Sequence, residues 1–297
     1  MSISTRPAPA RAVLAVAALA TAAPVFSGCA LFDADANDAD LLDQIRSGKV
    51  VVGSAFTNPG LSTRNADGTV EGLDTEVAEY VINSIADDKG WRRPRIEWRQ
   101  VPHGQRASML EHAYVDMIAS TYSMNRERAD ATAFAGPYLL THQALLVRDG
   151  QKDITGLQSL GGHRLCSVTG TTAAGTIKEK LPEVVLEEYD SYEACLNALR
   201  EGNVEVVSTD AAILEGFEAQ EPDTFDVVPL EADGRPLTDE HYGLGLRNDN
   251  RETIDAVNDA LVRMYGDGSF DRYVAQNLQV EPDALRDIPG DTSFLAT

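Results

Sequence analysis

Positive charge is scarce in this chain of 297 residues, which has 25 lysines and arginines against 47 aspartates and glutamates and a formal net charge of −22. No run of basic residues is present, and because phosphate binding needs clustered cations, a nucleic-acid partner is not expected. The acidic excess favours solubility but does not identify a ligand. The length exceeds what one small core needs, so two domains are expected.

Histidine and cysteine are scarce as well, with five and three copies. Two cysteines remain beyond Cys29, and without a matching pair of histidines they form no zinc-binding pattern. No nucleophile and base stand together in a catalytic pattern. We therefore expect neither an enzyme nor a bound metal or other cofactor. The histidines that lack metal-ligand spacing are His103, His112, His142, His163 and His241.

The first 28 residues have the pattern of a targeting segment. Arg6 and Arg11 precede an apolar stretch, residues 12–26, which is too short to span a bilayer as a mature helix. The following Val25-Phe26-Ser27-Gly28-Cys29 resembles a bacterial lipobox. This resemblance implies a lipidated Cys29 at the mature N-terminus and a protein anchored to the outer face of the cell membrane. Plain secretion with a free Cys29 is the alternative.

Export changes the interpretation of Cys166 and Cys195, because a disulfide between them can persist outside the reducing cytosol. Two buried free thiols are the alternative. A bond would close a loop of about 30 residues and stabilise the fold by ~3 kcal/mol on the chain-entropy model.

Alternating strand and helix patterns predict a parallel α/β sheet in the first part of the chain. Val77, Val81 and Ile85 recur at helical spacing, and Asp74 is available as the N-cap of that helix. The predicted strands are 49–54, 96–101 and 115–119, and the predicted helices are 74–87 and 105–111.

A second α/β unit begins near Gln151. It contains predicted strands over 164–168, 184–189 and 204–208 and predicted helices over 173–180, 192–200 and 211–219. A strand over 242–247 and a helical region over 251–276 follow. If these pack back on the first unit, the second unit is an insertion joined by two crossing strands, which would form a hinge.

The expected organisation has five parts. A tether follows the signal peptide because residues 30–43 are rich in Asp and Ala, and the tail contains Pro and Gly and is expected to be loosely ordered. The boundaries are 1–28 for the signal peptide, 29–47 for the lipidated tether, 48–148 with 240–278 for lobe 1, 149–239 for the inserted lobe 2, and 279–297 for the tail.

Small polar residues follow three of the predicted strands. Residues 120–123, residues 170–172 and Asp210 all stand at carboxyl ends, where open parallel sheets place their ligand crevice. The planar fork of Arg128 suits a carboxylate, although most exposed arginines bind nothing. Asp210 could also simply cap the helix that follows it.

Several motifs together resemble the bacterial extracellular solute-binding proteins of family 3, which serve polar amino-acid ABC transporters, over about residues 49–278. Ser123, Glu127-Arg128 and the segment 134–138 (Phe-Ala-Gly-Pro-Tyr) match the family's hydroxyl, acid-arginine and aromatic-Pro-Tyr positions. Gly170-Thr171-Thr172 and Asp210 match the lid motifs. The resemblance implies a type II periplasmic-binding-protein fold: two lobes, each a mostly parallel sheet flanked by helices, joined by two hinge strands.

Within this family, the chain resembles in particular the actinobacterial glutamine/glutamate/aspartate-binding lipoproteins of the GlnH and GluB type. Their lid disulfide has the spacing of Cys166 and Cys195. The motifs that carry the likeness are Pro59-Gly60-Leu61, Asp67-Gly68, Gly72-Leu73-Asp74, Glu79-Tyr80-Val81, Gly136-Pro137-Tyr138, Cys166-Ser167-Val168 and Thr209-Asp210-Ala211.

The resemblance also implies a ligand set for an amino acid. Arg128 would pair with the ligand α-carboxylate, and Asp210 would take the α-ammonium. Arg106 matches an arginine that reaches an acidic side chain, although it could instead form a surface salt bridge. The remaining expected contacts are the Ser123 hydroxyl, the amides at Thr171 and Thr172 after Gly170, the carbonyl at Thr121, an accessory Arg64, and Phe56 and Tyr122, which could instead be packing residues.

One position departs from the glutamate binders. They carry Lys or Arg two residues after the first-strand glycine, where this chain has Ala55. Losing such a charge-assisted contact costs about 1.5–3 kcal/mol, or one to two decades in affinity. The expected ligand is therefore a polar amino acid of the glutamate, aspartate, glutamine or asparagine type.

The expected function is capture of that amino acid by a monomeric protein and delivery to an ABC permease. A receptor that signals to a membrane sensor protein is the alternative, and an enzyme related to dehydratases of this fold is a third.

Overall fold

Two five-stranded sheets organise the chain in this computed structural model, which describes residues 39–247 and 249–296. The strands are β1 (Lys49–Ser54), β2 (Thr57–Asn58), β3 (Ser62–Arg64), β4 (Val70–Glu71), β5 (Arg95–Gln100), β6 (Met117–Ile118), β7 (Ala133–Thr141), β8 (Gln143–Arg148), β9 (Arg164–Val168), β10 (Val185–Tyr189), β11 (Val206–Asp210), β12 (Phe225–Pro229), β13 (Glu231–Ala232), β14 (Arg235–Pro236) and β15 (Glu240–Leu246). The α-helices are α1 (Leu41–Ser47), α2 (Leu73–Asp88), α3 (Arg106–Glu111), α4 (Arg126–Ala129), α5 (Thr172–Lys180), α6 (Tyr192–Arg200), α7 (Ala211–Gln220), α8 (Arg251–Gly266) and α9 (Ser269–Asn277).

Lobe 1 is built on the sheet with strand order β5-β1-β6-β15-β7. β1 runs parallel to both β5 and β6, and β15 is antiparallel to β6 and β7. The predicted apolar stripe of α2 is buried at Val77, Val81 and Ile85. The prediction that Asp74 caps this helix is wrong. Gly72 is the N-cap, and the buried Asp74 carboxylate instead accepts hydrogen bonds from the Thr121 amide and the Tyr138 hydroxyl.

Lobe 2 is built on the sheet with strand order β10-β9-β11-β8-β12. β9 lies parallel to β10 and β11, as the alternating pattern predicts, whereas β8 pairs antiparallel with β11 and β12. The predicted limit of lobe 1 at residue 148 is therefore too late, because β8 belongs to the second sheet. Cys166 on β9 and Cys195 on α6 form the predicted disulfide, with a Cα–Cα distance of 5.7 Å.

The two lobes are joined by adjacent segments of chain. The chain passes from lobe 1 to lobe 2 at residue 142, between β7 and β8. It returns to lobe 1 just before β15. These crossings lie side by side, since Thr141 pairs with Glu240 and the Gln143 amide donates to the Thr238 hydroxyl at 3.0 Å. Two neighbouring connections form a hinge of the kind predicted.

Both ends of the described chain pack more closely than predicted. α1 buries Leu41 and Ile45, so the tether does not extend to residue 47. The tail is not loose, because Leu285 is buried and its carbonyl accepts from the Leu140 amide of β7 at 2.9 Å. The predicted signal peptide and the lipidation site Cys29 lie outside the described residues. Within residues 39–247 and 249–296, no helix combines the length and apolar character needed to cross a bilayer.

Candidate functional site

The carboxyl ends of β6, β9 and β11 meet between the lobes, as expected for an open α/β sheet. A cavity of ≈ 480 Å³ opens there. Arg128 and Met124 line it from lobe 1, the segment 170–172 lines it from lobe 2, and Glu240 lines it from the start of the hinge strand β15.

Arg128 is held in place by its own helix. The Asn125 side chain caps α4 by accepting from the Arg128 amide at 2.8 Å. The guanidinium donates from Nη1 to the Ser123 carbonyl at 2.6 Å and from Nη2 to the Gly170 carbonyl at 3.0 Å. Of its five N–H donors, only these two are used among the described residues, so the others remain available to an anion.

The N-terminus of α5 faces the same cavity. The first turn of a helix leaves backbone N–H groups without intrahelical partners, and these attract an anion. The predicted use of the Thr171 amide is wrong, because it closes a turn on the Val168 carbonyl at 3.2 Å while the Thr171 hydroxyl caps the helix. The Thr172 hydroxyl donates to Glu240 Oε2 at 3.0 Å.

Asp210 ends β11 and stands at the N-cap position of α7, yet its side chain makes no capping bond. Its Oδ2 accepts from the Tyr242 hydroxyl at 2.6 Å, and its buried Oδ1 has no partner among the described residues. Burial, reinforced by the negative charge of Glu240, raises the pKa of this carboxyl above its usual range. The site therefore has a carboxylate whose ionised form is poorly compensated, which suits a cationic ligand group.

Arg106 is buried at the contact between the lobes, where it bonds to the Gly170 carbonyl, so the surface salt bridge considered for it is wrong. Four of its five N–H donors bond to backbone carbonyls, at His103, Ser120, Thr121 and Gly170. Burial and the nearby charge of Arg128 lower the pKa of Arg106 to about 9. The carbonyl at Thr121, predicted to receive the ligand ammonium, is thus already bonded to Arg106.

The aromatic residues of the predicted site are chiefly packing elements. The Tyr122 ring is buried, with the guanidinium carbons of Arg106 and Arg128 at 4.1 and 5.1 Å from its centroid. Phe56 is buried beneath Arg64, whose guanidinium carbon lies 4.2 Å from the ring centroid. Arg64 is otherwise exposed, donates to the Trp98 carbonyl, and does not line the cavity beside Arg128.

Further cleft residues escaped the sequence-based reasoning. Within the described part of the chain, the buried side-chain polar atoms that lack a partner are His103 Nε2, Ser120 Oγ, Gln143 Oε1 and Asp210 Oδ1. His103 contacts Tyr192 of lobe 2, Asp210 contacts Tyr242 of lobe 1, Gln143 begins β8 at the hinge, and Ser120 follows β6. None of the four lines the ≈ 480 Å³ cavity beside Arg128. Ser120, within the segment 120–123, and Asp210 were predicted from their positions at strand ends. Gln143 at the start of β8, His103 and the hinge residue Glu240 have no such local pattern and were missed.

The lobes approach each other closely at two places. A Cβ on Gly170, which has φ +80°, would lie 2.5 Å from Gly104 Cα of lobe 1. On another side of the interface, a Cβ on Gly216 of α7 would overlap the Pro59 carbonyl. The structure is therefore the closed arrangement of the two lobes.

A hinged pair of α/β lobes, with the Arg128 guanidinium on one side of the cleft and the under-compensated carboxylate of Asp210 on the other, is the arrangement of a two-lobed ligand-binding protein. The chain belongs to the bacterial extracellular solute-binding proteins, family 3, whose family model matches residues 50–279. The expectation that it is not an enzyme is confirmed, since its relatives are solute-binding proteins.

Two relatives are similar over most of their length. The chain is 48% identical over 283 residues to the glutamate-binding protein GluB of Corynebacterium efficiens, covering 94% of this chain and 96% of that protein. It is 51% identical over 256 residues to GluB of Corynebacterium glutamicum, covering 86% and 87%.

Solved structures share the fold. The L-cysteine solute receptor of Neisseria gonorrhoeae has a TM-score of 0.74 at 24% identity and covers 84% of this chain and all of its own. An ancestral arginine-binding protein bound to glutamine has a TM-score of 0.68 at 25% identity, with 77% of this chain and 97% of its own covered. The two-lobed type II fold expected from the sequence is confirmed. The expectation of mostly parallel sheets is wrong, because each sheet has two parallel and two antiparallel pairings.

Proposed function

We propose that this protein is an extracytoplasmic, lipid-anchored receptor that binds a polar amino acid in the interlobe cleft and delivers it to an ABC permease. The observation that carries the proposal is the set of buried polar atoms that lack a partner within the described residues, among them Asp210 Oδ1 and His103 Nε2, whose residues contact the opposite lobe. A buried polar group without a partner costs about 1–3 kcal/mol. A polar ligand in the cleft would supply the missing partners.

The head group of an amino acid fits the charges on the two sides of the cleft. Its α-carboxylate would bond to the unused donors of Arg128 and to the first-turn amides of α5. Its α-ammonium would bond to Oδ1 of Asp210, which would relieve the cost of ionising that buried carboxyl. Because Arg128 is on lobe 1 and Asp210 on lobe 2, a ligand that contacts both would shift the population toward the closed state.

The side-chain end of the ligand would lie near Arg106 and Ala55. Arg106 is cationic but bonds mostly to carbonyls, and the buried Ala55 supplies no charge. The relatives named as glutamate-binding proteins support glutamate as a ligand. With one cation in place of two, we propose that carboxamides are accepted as well, giving the set glutamate, aspartate, glutamine and asparagine.

Calorimetric titration of the mature chain with each of the twenty amino acids tests the proposal. We expect binding by members of that set and weaker or no binding by apolar amino acids. A protein that folds but binds none of the twenty would contradict it.

Lipid anchoring and delivery need separate tests. Metabolic labelling with a fatty acid should mark the full chain and not a Cys29→Ala variant. Uptake of the labelled amino acid by cells should fall when the protein is removed. Binding with unchanged uptake would favour a signalling receptor over a transport component.

A further inference from the structure

His103 stands in a 3₁₀ turn, His103–Gln105, between β5 and α3 on the lobe 1 side of the cleft. The residue is 7% exposed, and its Nε2 has no hydrogen-bond partner among the described residues. Its ring meets the edge of Tyr192 of lobe 2, with the centroids 5.2 Å apart and the planes at 78°. The imidazole therefore lies at the interface that closes around the ligand.

The protein itself does not satisfy this nitrogen. The hydroxyl of Tyr192, whose ring contacts the imidazole, is paired with the Thr209 hydroxyl at 2.6 Å. Burial, with smaller contributions from the positive charges of Arg106 and Arg128, lowers the pKa of His103 to about 3. The ring is thus neutral at physiological pH and has one nitrogen that donates and one that accepts.

His103 also shares the surroundings of the proposed side-chain end of the cleft. Its carbonyl accepts from Arg106 Nε at 2.9 Å, and the Arg106 guanidinium continues from there to the carbonyls at the end of β6. The charges proposed for the head group are supplied by other elements, α4, α5 and β11. His103 does not line the cavity beside Arg128, so a contact from its nitrogen would fall on a part of the ligand away from the α-carboxylate.

We propose that His103 is a specificity-determining residue, whose Nε2 forms a hydrogen bond with the terminal carboxylate or carboxamide of the ligand side chain. This inference rests on the proposed function. A neutral imidazole donates to a carboxylate or amide oxygen in one tautomer and accepts from an amide N–H in the other. Such a contact favours polar over apolar side chains and admits both acids and amides, whereas a fixed cation would favour acids.

The test compares His103→Phe, His103→Gln and a control, His112→Phe, at an exposed histidine at the end of α3. Phenylalanine keeps a ring against Tyr192 but removes the nitrogen, and glutamine keeps a hydrogen-bonding group. Titrations with L-glutamate, L-glutamine, L-aspartate and L-asparagine are combined with thermal unfolding of each ligand-free protein.

We expect His103→Phe to weaken the binding of the tightest ligand about tenfold or more. The thermal unfolding midpoint of the ligand-free protein should be unchanged or higher, because an unpartnered polar atom has been removed. His103→Gln should retain affinity within a few fold, and His112→Phe should match the wild type. A purely structural role would lower the midpoint and the affinity of all ligands together.

If the wild type binds and His103→Phe binds with the same affinity, the inference is overturned and the proposed function stands. Absence of binding by the wild type would instead overturn the proposed function. If His103→Phe does not fold, His103→Leu takes its place, with equal affinities of the Leu and Gln variants as the contradicting result.

Discussion

Arg128 donates from Nη2 to the carbonyl oxygen of Gly170 at 3.0 Å, and this bond joins lobe 1 to lobe 2 across the cleft. Arg106 reaches the same oxygen at 3.4 Å. The closed arrangement is thus stabilised in part by contacts of the protein with itself. A ligand carboxylate at Arg128 would add to these contacts, since further donors of that guanidinium are unused among the described residues.

Closure depends on the glycine at position 170. We expect Gly170→Ala to weaken amino-acid binding by about tenfold or more. The new Cβ would collide with Gly104 only when the lobes are closed, and the positive φ adds strain of about 1–3 kcal/mol. Titration calorimetry measures the loss. Gly162→Ala on the same lobe is the control, because it has a similar positive φ of +86° but open space around it. Equal affinities for the two variants would contradict this role for Gly170.

Asp210 should make binding dependent on pH. Its pKa is raised in the ligand-free protein, and an ammonium beside it would favour the ionised form. Binding at neutral pH should therefore release a proton, and affinity should increase as the pH rises from about 5 toward neutrality. Titrations in two buffers with different ionisation enthalpies measure the released proton. Asp210→Asn should abolish the proton release and weaken binding. If the number of protons released on binding does not change in this variant, the released proton comes from another group.

The same carboxyl should lower the stability of the ligand-free protein as the pH rises. A group with a folded-state pKa above its unfolded value holds more protons when folded, so the free energy of unfolding decreases with pH between those two values. Asp74, whose pKa burial raises to about 6, acts in the same direction. The lowered pKa of His103 acts in the opposite direction, so the test is a comparison of two proteins. Chemical denaturation between about pH 4 and pH 8 should show a more negative dependence of the unfolding free energy on pH in the wild type than in Asp210→Asn. An identical slope would contradict the assignment.

The residue after the first strand should tune the preference between acids and amides. Ala55→Lys is expected to raise the affinity for glutamate relative to that for glutamine by about one to two orders of magnitude, because it restores a charge-assisted contact of about 1.5–3 kcal/mol. Competition titrations measure the ratio. Ala131→Lys adds the same charge at an exposed position and is the control. A ratio that does not change would mean that the ligand side chain lies elsewhere.

Local patterns were sufficient to predict the order of strands and helices along the chain and the strand ends that form the cleft. They were insufficient where a residue's role depends on partners distant in sequence. Asp74 looks like a helix cap until Thr121 and Tyr138 are folded against it, and β8 looks continuous with lobe 1 until it pairs with β11. His103 has no periodicity that marks it, because its significance comes from Tyr192 on the opposite lobe.

The most direct test of the central claim is titration calorimetry of Arg128→Ala beside Arg126→Ala with L-glutamate and L-glutamine. Both arginines belong to α4, but Arg126 is exposed and does not line the cleft. Loss of the guanidinium should weaken binding by about a hundredfold or more, since a charged partner of the ligand carboxylate is removed. Arg126→Ala should bind as the wild type does. Wild-type affinity in Arg128→Ala would contradict the account.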